Sequence, residues 1–120
     1  MLIVDDDAML REVAGVALEV VGGWDVVTAH DGAEAQVVAV AEQPDAILLD
    51  VMMPGIDGPS TVALLRANEA TAHIPIIFLT AKVRLNPDAW PELDLAGVIP
   101  KPFDPMTLPK QMKVLLGWAD

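Results

Sequence analysis

Ala46-Ile47-Leu48-Leu49-Asp50-Val51-Met52-Met53-Pro54-Gly55-Ile56-Asp57-Gly58 joins an apolar run, an acid and two turn dipeptides in one short stretch. Ala46–Leu49 has no polar residue on either side of a pleat, so it reads as a strand buried on both faces, the habit of parallel sheets. Asp50 ends that run, and Pro54-Gly55 and Asp57-Gly58 turn the chain. Four similar runs flank it: Leu2–Val4 and Val26–Thr28 before, Ile76–Leu79 and Val98-Ile99 after. The segments between them carry helical spacing. Leu10, Val13, Ala14, Ala17, Val20 and Val21 form one stripe, with Gly22-Gly23 as a left-handed stop. Ala33, Val37, Val40 and Ala41 form a second stripe before Pro44, and Val62 and Leu65 mark a third. Leu108, Met112, Leu115 and Leu116 lie on one face of a last helix, for which Thr107 is the expected N-cap, ahead of Asp104, because Pro109 then falls in the first turn. The segment Arg84–Leu95 is the weakest helix, since Pro91 interrupts it. Five strands alternating with helices make an α/β, doubly wound (βα)₅ sheet with right-handed crossovers.

Composition narrows the function. The 120 residues are 53% hydrophobic, enough for one core, and carry a net charge of −11. Without cysteine there is no disulfide scaffold, thiolate metal site or thiol nucleophile. No apolar run approaches the roughly 18 residues of a spanning helix. The N-terminus meets aspartates at once rather than a basic signal-peptide region. An acidic surface repels phosphate backbones, so free nucleic acid is not an expected direct partner. The expectation is a soluble, cytoplasmic, single domain over residues 1–120, with no room for an output domain after the last helix.

In an open α/β sheet the reactive groups gather beyond the carboxyl ends of the strands. Asp5, Asp6 and Asp7 follow the first run, Asp50 the third, Thr80 the fourth and Lys101 the fifth. Carboxylates at adjacent strand ends repel and call for a cation, and hard oxygen ligands without His or Cys suit Mg²⁺. A metal, one lysine and a hydroxyl around a carboxylate make a receptacle for a phosphoryl group, with Asp50 as nucleophile. Other polar residues have plainer readings: Asp7 as a helix cap, His30 and His73 at the surface. Trp24, Trp90 and Trp118 are too scattered for a stacking platform, and Met52-Met53 is expected in core or loop packing.

Four motifs, Leu2-Ile3-Val4-Asp5-Asp6-Asp7, Leu48 to Gly58, Leu79-Thr80-Ala81-Lys82 and Lys101-Pro102-Phe103, occur in order along the chain. Together they resemble the receiver domain of two-component response regulators, of the chemotaxis-receiver kind, over essentially the whole sequence. That resemblance implies the flavodoxin-like three-layer sandwich with strand order 2-1-3-4-5, the order of chemotaxis receivers. It implies phosphorylation of Asp50 by the phosphohistidine of a histidine kinase, in a signalling domain rather than a turnover enzyme. Asp6, Asp5, Asp50 and the Met52 carbonyl would hold Mg²⁺; Thr80, the Ala81 N–H and Lys101 would bind the phosphoryl oxygens. Met52 and Lys82 would flank the water route for dephosphorylation, and the Lys101–Pro102 bond would be cis. The reading is a stand-alone receiver whose phosphorylated state changes affinity for a downstream protein. Its rivals are a relay carrier that passes phosphate to a histidine phosphotransfer protein and a non-phosphorylated pseudo-receiver. Val98, where receivers commonly carry an aromatic switch residue, and Pro91 imply an atypical switch face.

Overall fold

The computed structural model describes residues 1–80 and 94–118. Five strands, β1 (Leu2–Val4), β2 (Val27–Ala29), β3 (Ile47–Asp50), β4 (Ile76–Thr80) and β5 (Gly97–Pro100), pair in parallel in the order β2-β1-β3-β4-β5. The described helices are α1 (Ala8–Val16), α2 (Gly32–Glu42), α3 (Gly58–Ala67) and α4 (Leu108–Leu116); α1 runs on into a π-helical turn, Ala17–Val21. Arg84–Leu95, expected as a weak helix, lies almost wholly outside the described residues, as do Trp90 and Pro91.

Strand side chains alternate between two cores, as a pleat requires. Leu2, Val4, Ile47, Leu49, Ile76 and Phe78 pack with Ala35, Ala39, Val62 and Leu65 of α2 and α3. Ile3, Leu48, Ile77, Leu79 and Ile99 pack on the opposite face with Ala14, Leu18, Leu108 and Met112. Burial on both faces explains why the runs are continuously apolar instead of alternating.

Two helix faces differ from the sequence reading. Helix α2 buries Gly32, Ala35 and Ala39, while Val37 (69% exposed) and Val40 (43%) point to solvent. Spacing decides the start of that face: a Cβ on Gly32 would stand 2.3 Å from Thr61 Oγ1 and 3.1 Å from Ile56 Cβ, so no side chain fits there. In α1 and its π-helical turn, Ala14, Ala17 and Leu18 are buried, and Val13, Val20 and Val21 are exposed; the turn Ala17–Val21 breaks the 3.6-residue period on which the stripe was drawn. Gly23, at φ +73°, takes the left-handed position expected of that glycine pair.

The helix ends show which side chains cap. Asp7, Asp31 and Asp57 each accept a backbone N–H of their helix's first turn. Thr107 occupies the N-cap of α4, but its side chain does not cap the helix. Asp104 builds that entry instead: its carboxylate accepts Met106 N–H at 2.9 Å, and its carbonyl accepts Thr107 N–H at 3.1 Å and Leu108 N–H at 2.9 Å. Trp24 and Trp118, distant in sequence, meet edge to face at 5.5 Å beside the second core. The methionine pair divides, with Met53 buried and Met52 exposed.

Candidate functional site

Sheet register brings the site together. Val4 lies level with Ala29 and Leu49, Asp50 with Leu79, and Thr80 with Pro100, so β1, β3, β4 and β5 end along one line. Asp5, Asp50, Thr80 and Lys101 therefore share one edge of the sheet. The Lys101 backbone N–H donates to the Thr80 carbonyl at 2.8 Å, which ties the last two strand ends together.

Lys101 Nζ sits 3.1 Å from Asp50 Oδ1 and 3.1 Å from Asp5 Oδ2. Asp5 and Thr80 are buried, Asp50 nearly so, and Asp6 is exposed at the mouth. Asp5 is held from both sides of its backbone: its Oδ1 accepts Asp7 N–H at 2.9 Å and its carbonyl accepts Arg11 Nη1 at 2.7 Å. Burial pushes the Asp50 carboxyl above its ordinary range; the Asp5 charge adds to that, while Lys101 and the Met52 N–H oppose it. Burial works against the Lys101 charge too, but pairing with Asp5 and Asp50 outweighs it and holds the amine above its usual value. Helix α3 starts hard against this site. Gly58 N–H donates to Val51 O at 2.9 Å, and a Cβ on Gly58 would lie 2.7 Å from Val51 Cα and 2.8 Å from Asp50 O.

Carboxylate oxygens of Asp5, Asp6 and Asp50 lie within 4.8 Å of one another. Three acids face one lysine, which leaves two negative charges for a divalent ion to balance. Asp5 Oδ2 is the clearest sign: it is buried, accepts no well-aligned hydrogen bond, and has Lys101 as a charge contact alone. A hard oxygen set with a spare buried lone pair fits Mg²⁺.

The response regulator receiver domain family matches residues 1–113. The chain belongs to that family. It is 41% identical over 117 residues to the phosphate regulon transcriptional regulatory protein PhoB of Pseudomonas aeruginosa, covering 97% of this chain and 51% of that protein. It is 37% identical over 122 residues to the DNA-binding dual master transcriptional regulator RpaA of Synechocystis, covering 100% of this chain and 50% of that one. The chain thus spans about half the length of these curated relatives. Among solved structures, the chemotaxis protein CheY4 of Vibrio cholerae superposes with a TM-score of 0.84 at 32% identity, over 95% of both chains. The fold, the strand order and the place in two-component signalling expected from the motifs are those of this family.

Asp5, Asp6, Asp50, Thr80 and Lys101 stand at or just beyond the expected strand ends, and Met52 lies two residues past the end of β3, exposed. Ala81 and Lys82 lie outside the described residues. The Met52 N–H adds a small influence that lowers the Asp50 carboxyl, an effect not foreseen. Arg11 and Gly58 were also missed: Arg11 acts through a backbone carbonyl, and Gly58 through an approach distance, and neither leaves a trace in spacing. The Lys101–Pro102 peptide is cis. Among the described residues no helix is long and apolar enough to cross a membrane.

Proposed function

We propose that this receiver takes a phosphoryl group onto Asp50 from the phosphohistidine of a histidine kinase or histidine phosphotransfer protein, in the cytoplasm, and thereby changes its affinity for a downstream protein. The observation that carries the reading is the position of Lys101 Nζ, 3.1 Å from both Asp50 and Asp5 beside the exposed Asp6. An Asp50 carboxylate oxygen attacks phosphorus in line. The P–N bond to the donor imidazole breaks with its electron pair going to nitrogen, and a P–O bond to Asp50 forms. Lys101, already beside Asp50, turns from the carboxylate to a phosphoryl oxygen, and the Thr80 hydroxyl and Ala81 N–H bind the others. Asp5, Asp6, Asp50 and the Met52 carbonyl would hold Mg²⁺, which would supply charge neutralisation for the phosphoryl oxygens. Water attack at phosphorus breaks the P–O bond to Asp50, releases inorganic phosphate and restores the carboxylate; Met52 and Lys82 are proposed to flank that water's route.

The output is proposed to be a protein contact. PhoB and RpaA are named as transcriptional regulators, RpaA as a DNA-binding one, and both are chains about twice this length. Val98, partly buried against the α2–α3 core, gives the switch face a small residue where an aromatic is common, so the proposed switch is weaker or differently built. Incubation with a small-molecule phosphodonor tests the chemistry. Wild type should gain one phosphoryl group in Mg²⁺ and little in chelator, and Asp50→Asn none; equal labelling of Asp50→Asn would refute the reading.

A further inference from the structure

The phosphoryl site uses one edge of the sheet's carboxyl end and leaves the side edge formed by β2 unexplained. We propose that this edge is a docking groove for an extended, basic segment of a partner protein, added as a further parallel or antiparallel strand. In a parallel ladder a residue's N–H and C=O point to the same side. Val27 N–H donates to Met1 O at 2.9 Å and Ala29 O accepts Asp5 N–H at 3.2 Å, so Val27 and Ala29 face β1. Thr28, between them, presents its N–H and C=O outward and is exposed, and among the described residues no strand lies beyond it. Unpaired edge groups are the template for strand addition.

Helices α1 and α2 flank that edge and leave a groove of about 520 Å³, with Val26, Val27 and Thr28 along its floor and Val16 and Val38 on its walls. Gly15 is the second observation. It sits in the interior of α1, where alanine would favour the helix. A Cβ there would meet nothing nearer than Val26 Cγ1 at 3.9 Å, so internal packing does not demand glycine. Its missing side chain widens the groove.

Charge selects the occupant. Glu12, Glu19 and Glu42 line the groove and are exposed, whereas Arg11 is drawn toward the Asp5 carbonyl. Lysine or arginine side chains on the added segment would meet these acids. A second copy is disfavoured, because pairing two such edges would confront their glutamates across chains of net charge −11. The groove contains none of the proposed phosphoryl ligands, so its test is independent of Asp50 chemistry.

The probe is an acetylated peptide of alternating valine and lysine, compared with the same peptide N-methylated at alternate residues, which keeps its charge and loses one row of backbone donors. Binding to the whole chain should slow amide exchange at Thr28. Affinity should fall at least tenfold for the N-methylated peptide, for Gly15→Leu, and for Glu12→Gln/Glu19→Gln/Glu42→Gln. Equal binding of both peptides to wild type, an unprotected Thr28 amide, or no binding at all would overturn the proposal. The peptide comparison uses wild-type protein and stands even if Gly15→Leu does not fold.

Discussion

Lys101 Nζ bridges Asp5 and Asp50, at 3.1 Å from each, so a single amine is shared by two carboxylates that β1 and β3 deliver to the same spot. Its charge is held by that pairing, and the Asp50 charge is opposed by burial despite it. Without a second cation the site is under-neutralised, and several consequences can be measured.

The first is a pH slope. Because the folded value for Asp50 lies above the usual 3.8, the native chain keeps a proton that the unfolded chain has released. Raising the pH from 3.8 through the folded value should therefore reduce stability in metal-free buffer. Asp50→Asn should remove this component, seen as a difference in urea midpoints between variant and wild type that widens as the pH rises through that window. A constant difference would show that the Asp50 charge costs the fold nothing.

Mg²⁺ should reverse that cost. Binding to the native site alone stabilises by RT ln(1 + [L]/Kd), about 2.7 kcal/mol at a hundredfold excess over Kd. Thermal melts with and without Mg²⁺ should show the gain in wild type and its loss in Asp5→Asn and Asp50→Asn. A gain that survives in both variants would put the ion elsewhere.

Two glycines should respond in opposite directions. A Gly58→Ala methyl meets the backbone of Asp50 and Val51 at 2.7–2.8 Å, and backbone cannot step aside as a side chain does. Overpacking of this kind costs about 1–3 kcal/mol. Gly15→Ala meets only Val26 Cγ1 at 3.9 Å and should stabilise α1 by roughly 0.5–1 kcal/mol. Equilibrium urea unfolding of the two variants checks both signs.

Asp57 caps α3, the helix that begins against the proposed phosphoryl site, by accepting Ser60 N–H at 2.8 Å. That hydrogen bond lowers its carboxyl below 3.8, so its contribution is present above 3.8 and is lost as the pH falls through the folded value. Asp57→Ala should cost about 1 kcal/mol at neutral pH, the usual loss of a cap. The difference from wild type should shrink in acid.

The legible parts of the molecule were those with a strong local signature. Continuous apolar runs such as Ile76–Leu79 identify strands buried on both faces, and the polar residues that end them, Asp5, Asp50, Thr80 and Lys101, locate the site. Strand boundaries moved by a residue or two, as for Val26–Thr28 against the observed Val27–Ala29. Helix orientation was harder to read. In α2 the valines Val37 and Val40 make the more hydrophobic stripe, yet Gly32, Ala35 and Ala39 face inward, and at Gly32 the approach of Thr61 and Ile56 leaves no room for a side chain. Hydrophobicity ranks faces by transfer energy and is blind to spacing. The same blindness hid Gly58, and the edge-to-face meeting of Trp24 with Trp118 joins residues too distant in sequence for any period to pair.

The most direct test of the account is the position of the acyl phosphate. Borohydride reduces a phosphorylated aspartate to homoserine, and peptide mapping locates it. After treatment with a phosphodonor in Mg²⁺, homoserine should appear at position 50 and should vanish when chelator is present. Homoserine at Asp5 or Asp6, or none anywhere, would contradict the assignment of Asp50 as the acceptor.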